Sequence, residues 1–167
     1  GSIPETIERV STGSNGAQPN QDVRFTDVSG DGRFVIFHSL ATNLASNDTN
    51  GASDVFMHDR QTDQTIRISV STDGTQSNGH SEWGRISADG RFVSFRSRAN
   101  NLVPGDTNNA EDSFLRDLVT GQTIRTSTAI NGEQANGPSD GSLISSDGRY
   151  ILFRSNADNL VIGDDND

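Results

Sequence analysis

Ile86–Ser97 reads I-S-A-D-G-R-F-V-S-F-R-S, and the same string, lightly varied, stands at Val28–Ser39 (V-S-G-D-G-R-F-V-I-F-H-S) and Ile144–Ser155 (I-S-S-D-G-R-Y-I-L-F-R-S). The central aspartates Asp31, Asp89 and Asp147 are 58 residues apart each time (89 − 31 and 147 − 89). A constant period of this length marks an array of one supersecondary unit. Within the string, Ser-x-Asp-Gly-Arg suits a tight hairpin in which glycine supplies the positive φ that other residues resist.

Working outward, the turn is preceded by a short strand near 23–28, 83–87 and 141–145. It is followed by another at Phe34–Phe37, Phe92–Phe95 and Tyr150–Phe153. In the first and third copies adjacent positions of the following strand are all apolar, so both of its faces are expected to be buried. Next comes a loop with the skeleton A-x-N-L…D-x-N, then a strand at Asp54–Asp59 and Asp112–Asp117. A last strand is expected at Gln64–Ser71 and Gln122–Thr128, with Thr6–Ser11 as its N-terminal counterpart. Four antiparallel strands per period, buried on both faces, describe sheets stacked around an axis: an all-β fold of β-propeller blades. The chain is expected to be one domain over 1–167, holding two full blades. A third blade is divided between the N-terminal strand and the C-terminal strands. Either two chains are expected to close a six-bladed ring as a homodimer, or the sequence is a fragment of a longer propeller.

Composition narrows the functional classes. Of 167 residues, 23 are acidic and 13 basic, all of the latter arginine, for a net charge of −10. That balance speaks against nucleic acid, whose phosphates need a basic face, and permits cations or basic partners. Without cysteine there is neither a disulfide framework nor a thiolate metal site. No apolar run reaches the ~18 residues of a membrane span.

The pattern S-x-D-G-R-[FY]-x-x-F-x-S resembles the repeat signature of TolB-like, WD-repeat-like β-propellers. The A-x-N-L-V-x-G-D-x-N and D-x-F-x-R-D strings are similar to tandem repeats of bacterial surface and exported proteins. The resemblance covers nearly the whole chain and implies a propeller fold and an extracellular or periplasmic bacterial setting. It leaves function open, because propellers host many unrelated activities.

Candidate sites follow from the loops, which a meander places on the face opposite the D-G turns. Asp48, Asn50 and Asp54, repeated as Asp106, Asn108 and Asp112 and begun again at Asp164 and Asn166, offer hard oxygen ligands around a turn, as calcium requires. The alternative is that they are Asx-turn residues satisfying loop backbone. Departures from the repeat gather at His80, Glu82, Trp83 and Arg85, matched in the first copy by Arg24 and Phe25. Aromatic rings beside polar groups suit a glycan or peptide; the alternative is packing between blades. G-P-S-D-G at Gly137–Gly141 matches a nucleophile pattern but lacks the strand-then-helix setting that motif needs. His38 and His58 read as cationic or snorkelling strand residues. The expected function is a non-enzymatic binding or scaffold propeller with a protein or glycan ligand and calcium as its candidate ion. The rivals are a purely structural self-assembling fragment, natural or engineered, and an accessory domain of a hydrolase.

Overall fold

A computed structural model describes residues 7–164. Ten strands form three antiparallel sheets in chain order: β1 (Val23–Val28), β2 (Phe34–Ser39), β3 (Asp54–Asp59) and β4 (Gln64–Arg67) form the first. The second holds β5 (Ser81–Ile86), β6 (Phe92–Ser97), β7 (Asp112–Asp117) and β8 (Gln122–Arg125). The third holds β9 (Ser139–Ile144) and β10 (Ile151–Ser155). These are propeller blades: β5 lies against β1, β2 and β3, and β9 against β5, β6 and β7. No helix among the described residues is long and apolar enough to cross a membrane.

The expected burial on both faces holds for the first copy, where adjacent Ile36 and Phe37 of β2 are fully buried, and throughout β3; it fails in the third, where β10 alternates half-buried and exposed residues and Leu152 is exposed. One face of the first blade contributes Ile36, Val55 and Met57 to a core shared with Ile86, Val93, Phe95 and Phe114 of the second. Its other face stacks Phe37 on Phe56, as Phe95 stacks on Phe114 in the second blade. A Cβ on Gly84 would sit 2.6 Å from Ile36 and 2.8 Å from Val55, so this position of β5 has room only for hydrogen. The equivalent place between the second and third blades holds a serine cluster, with Ser113 Oγ donating to Ser142 Oγ (2.8 Å).

The D-G-R string is a lock between blades as well as a hairpin. Arg33 clasps Asp59 at the end of β3 through two hydrogen bonds (2.8 and 2.6 Å), and Arg91 clasps Asp117 likewise (3.1 and 2.8 Å). Gly90 lies so close over Phe34 that a Cβ would be 2.5 Å from the ring; Gly148 covers Phe92 in the same way (2.6 Å). Backbone bonds stitch turn to turn, Gly30 N–H to the Ala88 carbonyl (3.0 Å) and Ala88 N–H to the Ser146 carbonyl (2.9 Å).

The outer strands end sooner than the sequence suggests, at Arg67 and Arg125 instead of Ser71 and Thr128. Ser69 Oγ and Ser127 Oγ donate to Asp54 and Asp112, and the backbone then folds on itself, Val70 N–H bonding the Ile68 carbonyl (2.8 Å). Of the strand expected at Thr6–Ser11, Thr6 lies outside the described residues and 7–11 form no strand; among the described residues no strand pairs with them.

Candidate functional site

The inner strand β5 carries the cluster that departs from the repeat. Its pairing with β6 breaks register between Glu82 and Arg85, a bulge that also interrupts β1–β2 and β9–β10. At the bulge Trp83 has φ +57°, and the matching residue of the third blade is Gly141 at +69°. A bulky side chain in the left-handed region costs about 1–3 kcal/mol, so the fold holds Trp83 in a conformation it does not prefer.

What that conformation achieves is display. Trp83 is 43% exposed, yet its ring meets His38 of β2 in the neighbouring blade at 5.7 Å between ring centroids and the Arg96 guanidinium of β6 in its own blade at 5.8 Å. Arg96 is held by Glu82 (2.9 Å) and Glu111 (2.8 Å), so positive and negative groups balance around the ring. Burial pushes the Glu82 carboxyl up, but Arg96 and the nearby histidines outweigh it and hold it below its usual value. Burial drives His38 down, helped by Arg24 and Arg96 against Glu82, so it is a neutral imidazole at pH 7. Its Nδ1 is buried without a hydrogen-bond partner. His38 is therefore neither cationic nor snorkelling. His58, also buried, bonds Thr65 Oγ1 (2.9 Å) and is structural.

His80 accepts the Ser53 N–H at Nδ1 (3.0 Å), which leaves Nε2 to carry the proton of the neutral ring. A cleft of about 250 Å³ is lined by His80, Glu82, Arg96, Arg98 and Glu111. A second, of about 170 Å³, lies against Trp83, Arg85, Arg96 and Asp140. His80 and Glu82 thus line the first cleft and Trp83 and Arg85 the second, with Arg96 common to both. Arg24 is exposed on β1 opposite His38, and the side chain of Phe25 lies outside the described part of the structure. Arg96, Glu111 and His38 were not legible as site residues, since they arrive from β6, the loop before β7 and β2. Ser139, the serine of G-P-S-D-G, opens β9, is fully buried and shares a hydrogen bond with Ser155 (2.9 Å).

The loop carboxylates are arranged around a guanidinium. Arg67 lies 3.3 Å from both Asp48 and Asp54, and Arg125 lies 3.5 Å from Asp106 and 3.9 Å from Asp112, all largely buried. Asp54 also accepts from Asn50 (3.1 Å), Gln76 (3.0 Å), Ser69 (2.5 Å) and Ser77 (3.0 Å). Donors thus occupy the carboxylate oxygens, and Asn50 turns its amide nitrogen, not its oxygen, toward Asp54. This donor set does not fit calcium, which wants unclaimed oxygens. Among the described residues no group of three or more His, Asp or Glu is placed to hold a metal ion. Asp164 is half-buried at the matching loop, and Asn166 lies outside the described residues. Asn50 and Asn108 do make the Asx turns, their Oδ1 atoms accepting from Ala52 (2.9 Å) and Ala110 (3.0 Å).

No protein-family model and no curated protein matches the chain. Solved propeller proteins do resemble it. The tricorn protease is similar over 80% of this chain and 11% of its own (17% identity, TM-score 0.49). A protein assigned as TolB from Agrobacterium tumefaciens is similar over 80% and 58% (15%, 0.34). An oligogalacturonate lyase from Vibrio parahaemolyticus is similar over 84% and 49% (11%, 0.30). The chain spans less than two thirds of the length of each.

Proposed function

We propose that the protein is a non-catalytic propeller module that binds a saccharide at the Trp83 cluster. The carrying observation is Trp83 itself, kept in a left-handed backbone conformation with nearly half of its ring open to solvent. An apolar ring face offers a platform for the C–H face of a sugar. Flanking carboxylates and guanidinium groups supply the planar, paired hydrogen bonds that hydroxyls accept and donate. Their charges are already balanced, which suits a neutral, hydroxyl-rich ligand better than a strongly charged one. The neutral His38 adds a buried ring nitrogen with hydrogen-bonding capacity to spare.

Calorimetric titration with a panel of neutral and acidic oligosaccharides tests this reading. Wild-type protein is expected to bind at least one of them, and Trp83→Ala and Glu82→Gln to lose that binding while the fold is retained. A panel without any binder, or binding untouched by Trp83→Ala, would end it.

A further inference from the structure

Each complete blade closes a groove between its outer strand and two loops, and the closing contact recurs. In the first blade Ser14 Oγ donates to the Thr65 carbonyl (3.1 Å) and accepts the Thr65 N–H (2.9 Å), while Thr65 Oγ1 bonds the Thr12 carbonyl. In the second, Thr72 makes the same pair with Thr123 (3.3 and 3.0 Å), and Thr123 Oγ1 donates to the Val70 carbonyl (2.7 Å). The long loop adds Ala45 and Ser46 to the first groove and Val103 and Pro104 to the second.

One period further on, these loop positions become Ile130, Val161 and Ile162. All three are exposed, Ile130 and Ile162 completely. One period back from Thr65 stands Ile7, also fully exposed. An isoleucine neither donates nor accepts, so the hydroxyl clasp cannot form at this third seam. The change from polar to apolar has occurred on both of its sides.

We propose that the segment around Ile7–Arg9 of a second copy of this chain docks on the loops of the third blade, in the place that the outer strand takes in the first two. Ile7 of one copy is buried there against Ile130, Val161 and Ile162 of the other. Charge runs the same way. Arg67 and Arg125 meet the loop carboxylates Asp48 and Asp106; the periodic counterparts at the third seam are Arg9 and Asp164. So does the opposite rim. Tyr150 is the exposed counterpart of Phe34 and Phe92, and the Gly32 turn has no ring within 4 Å in its own chain. The docking that seats Ile7 lays the second copy's Gly32 turn over Tyr150. A different repeat with the T-I-R outer strand would set a threonine against Ile130 and lose both clasp bonds, which is why the occupant is a second copy. The contact is head-to-tail, one surface meeting a different one.

The absence of native cysteine makes the test direct. Ile7→Cys and Ile130→Cys proteins are mixed and oxidised; a disulfide joining position 7 of one to position 130 of the other is expected. Sedimentation of the unmodified 17.9 kDa chain is expected to show a concentration-dependent dimer. Ile130→Thr alone should weaken association by about tenfold or more, and Ile7→Thr with Ile130→Thr should recover much of it by rebuilding the clasp of Thr72 and Thr123. A chain monomeric up to its solubility limit, links joining only like positions, or a dimer indifferent to Ile130→Thr would each overturn the proposal.

Discussion

Trp83 and Arg67 show how single residues set function against stability. Replacing Trp83 by glycine, the residue of the third blade, should hold or raise the melting temperature, because glycine accepts φ +57° without the strain of about 1–3 kcal/mol. Saccharide binding should vanish in the same protein. A fall in melting temperature would mean that the indole is packing, not display. Arg67 is a contrasting case. It lies between two buried carboxylates, and burial already pushes the Asp54 carboxyl up. Arg67→Met would strand that pair without compensation and should cost about 3–5 kcal/mol by chemical denaturation. Calcium should leave the wild-type melting temperature where it is, since the guanidinium holds the position a cation would take.

At the level of strands and seams, the two junctions between blades rest on different chemistry. Gly84 lets β5 press onto Ile36 and Val55, so Gly84→Ala should destabilise by about 1–3 kcal/mol through overpacking. Ser142→Gly, at the matching position of the serine seam, removes one hydrogen-bonded hydroxyl and leaves Ser113 still bonded by Thr126 (2.7 Å), so its cost should be smaller. The strands were largely legible because a single period aligns every copy, and β3 and β7 lie where the repeat puts them. Their neighbours' ends were not, because Ser69 and Ser127 turn the chain by reaching for aspartates on an adjacent strand. The Asp48–Arg67 pairing was hidden for a similar reason. The carboxylates and the arginine that neutralises them lie on separate elements, and spacing within the loop imitates a metal site. His38 was misread because it is buried and its ring meets a tryptophan of the next blade, a neighbour that the repeat does not announce.

For the whole molecule, two sets of carboxylates with opposite shifts shape the response to pH. Arg33 and Arg91 hold Asp59 and Asp117 far below the ordinary range. Their stabilising contribution is complete above about pH 4, the unfolded value, and is lost as pH falls through the folded one. Asp54 and Asp106 are shifted up, chiefly by burial. What they contribute is complete below about pH 4 and is lost as pH rises through their folded values. Thermal melting should therefore be highest in mildly acidic solution and fall on both sides. Arg33→Gln should lower the melting temperature throughout the range above about pH 4, and wild-type and variant profiles should converge only at the lowest pH.

The covering of each aromatic ring by the following glycine turn gives the chain a direction. Gly148 protects Phe92 and Gly90 protects Phe34, but no turn protects a ring that follows it. Shortening the array from its C-terminal side lays bare an aromatic of the blade that remains; shortening it from the N-terminal side takes a ring away and leaves only its glycine lid behind. Blades can thus be lost cleanly from one end only, and a growing chain keeps a sticky aromatic exposed until its successor has folded.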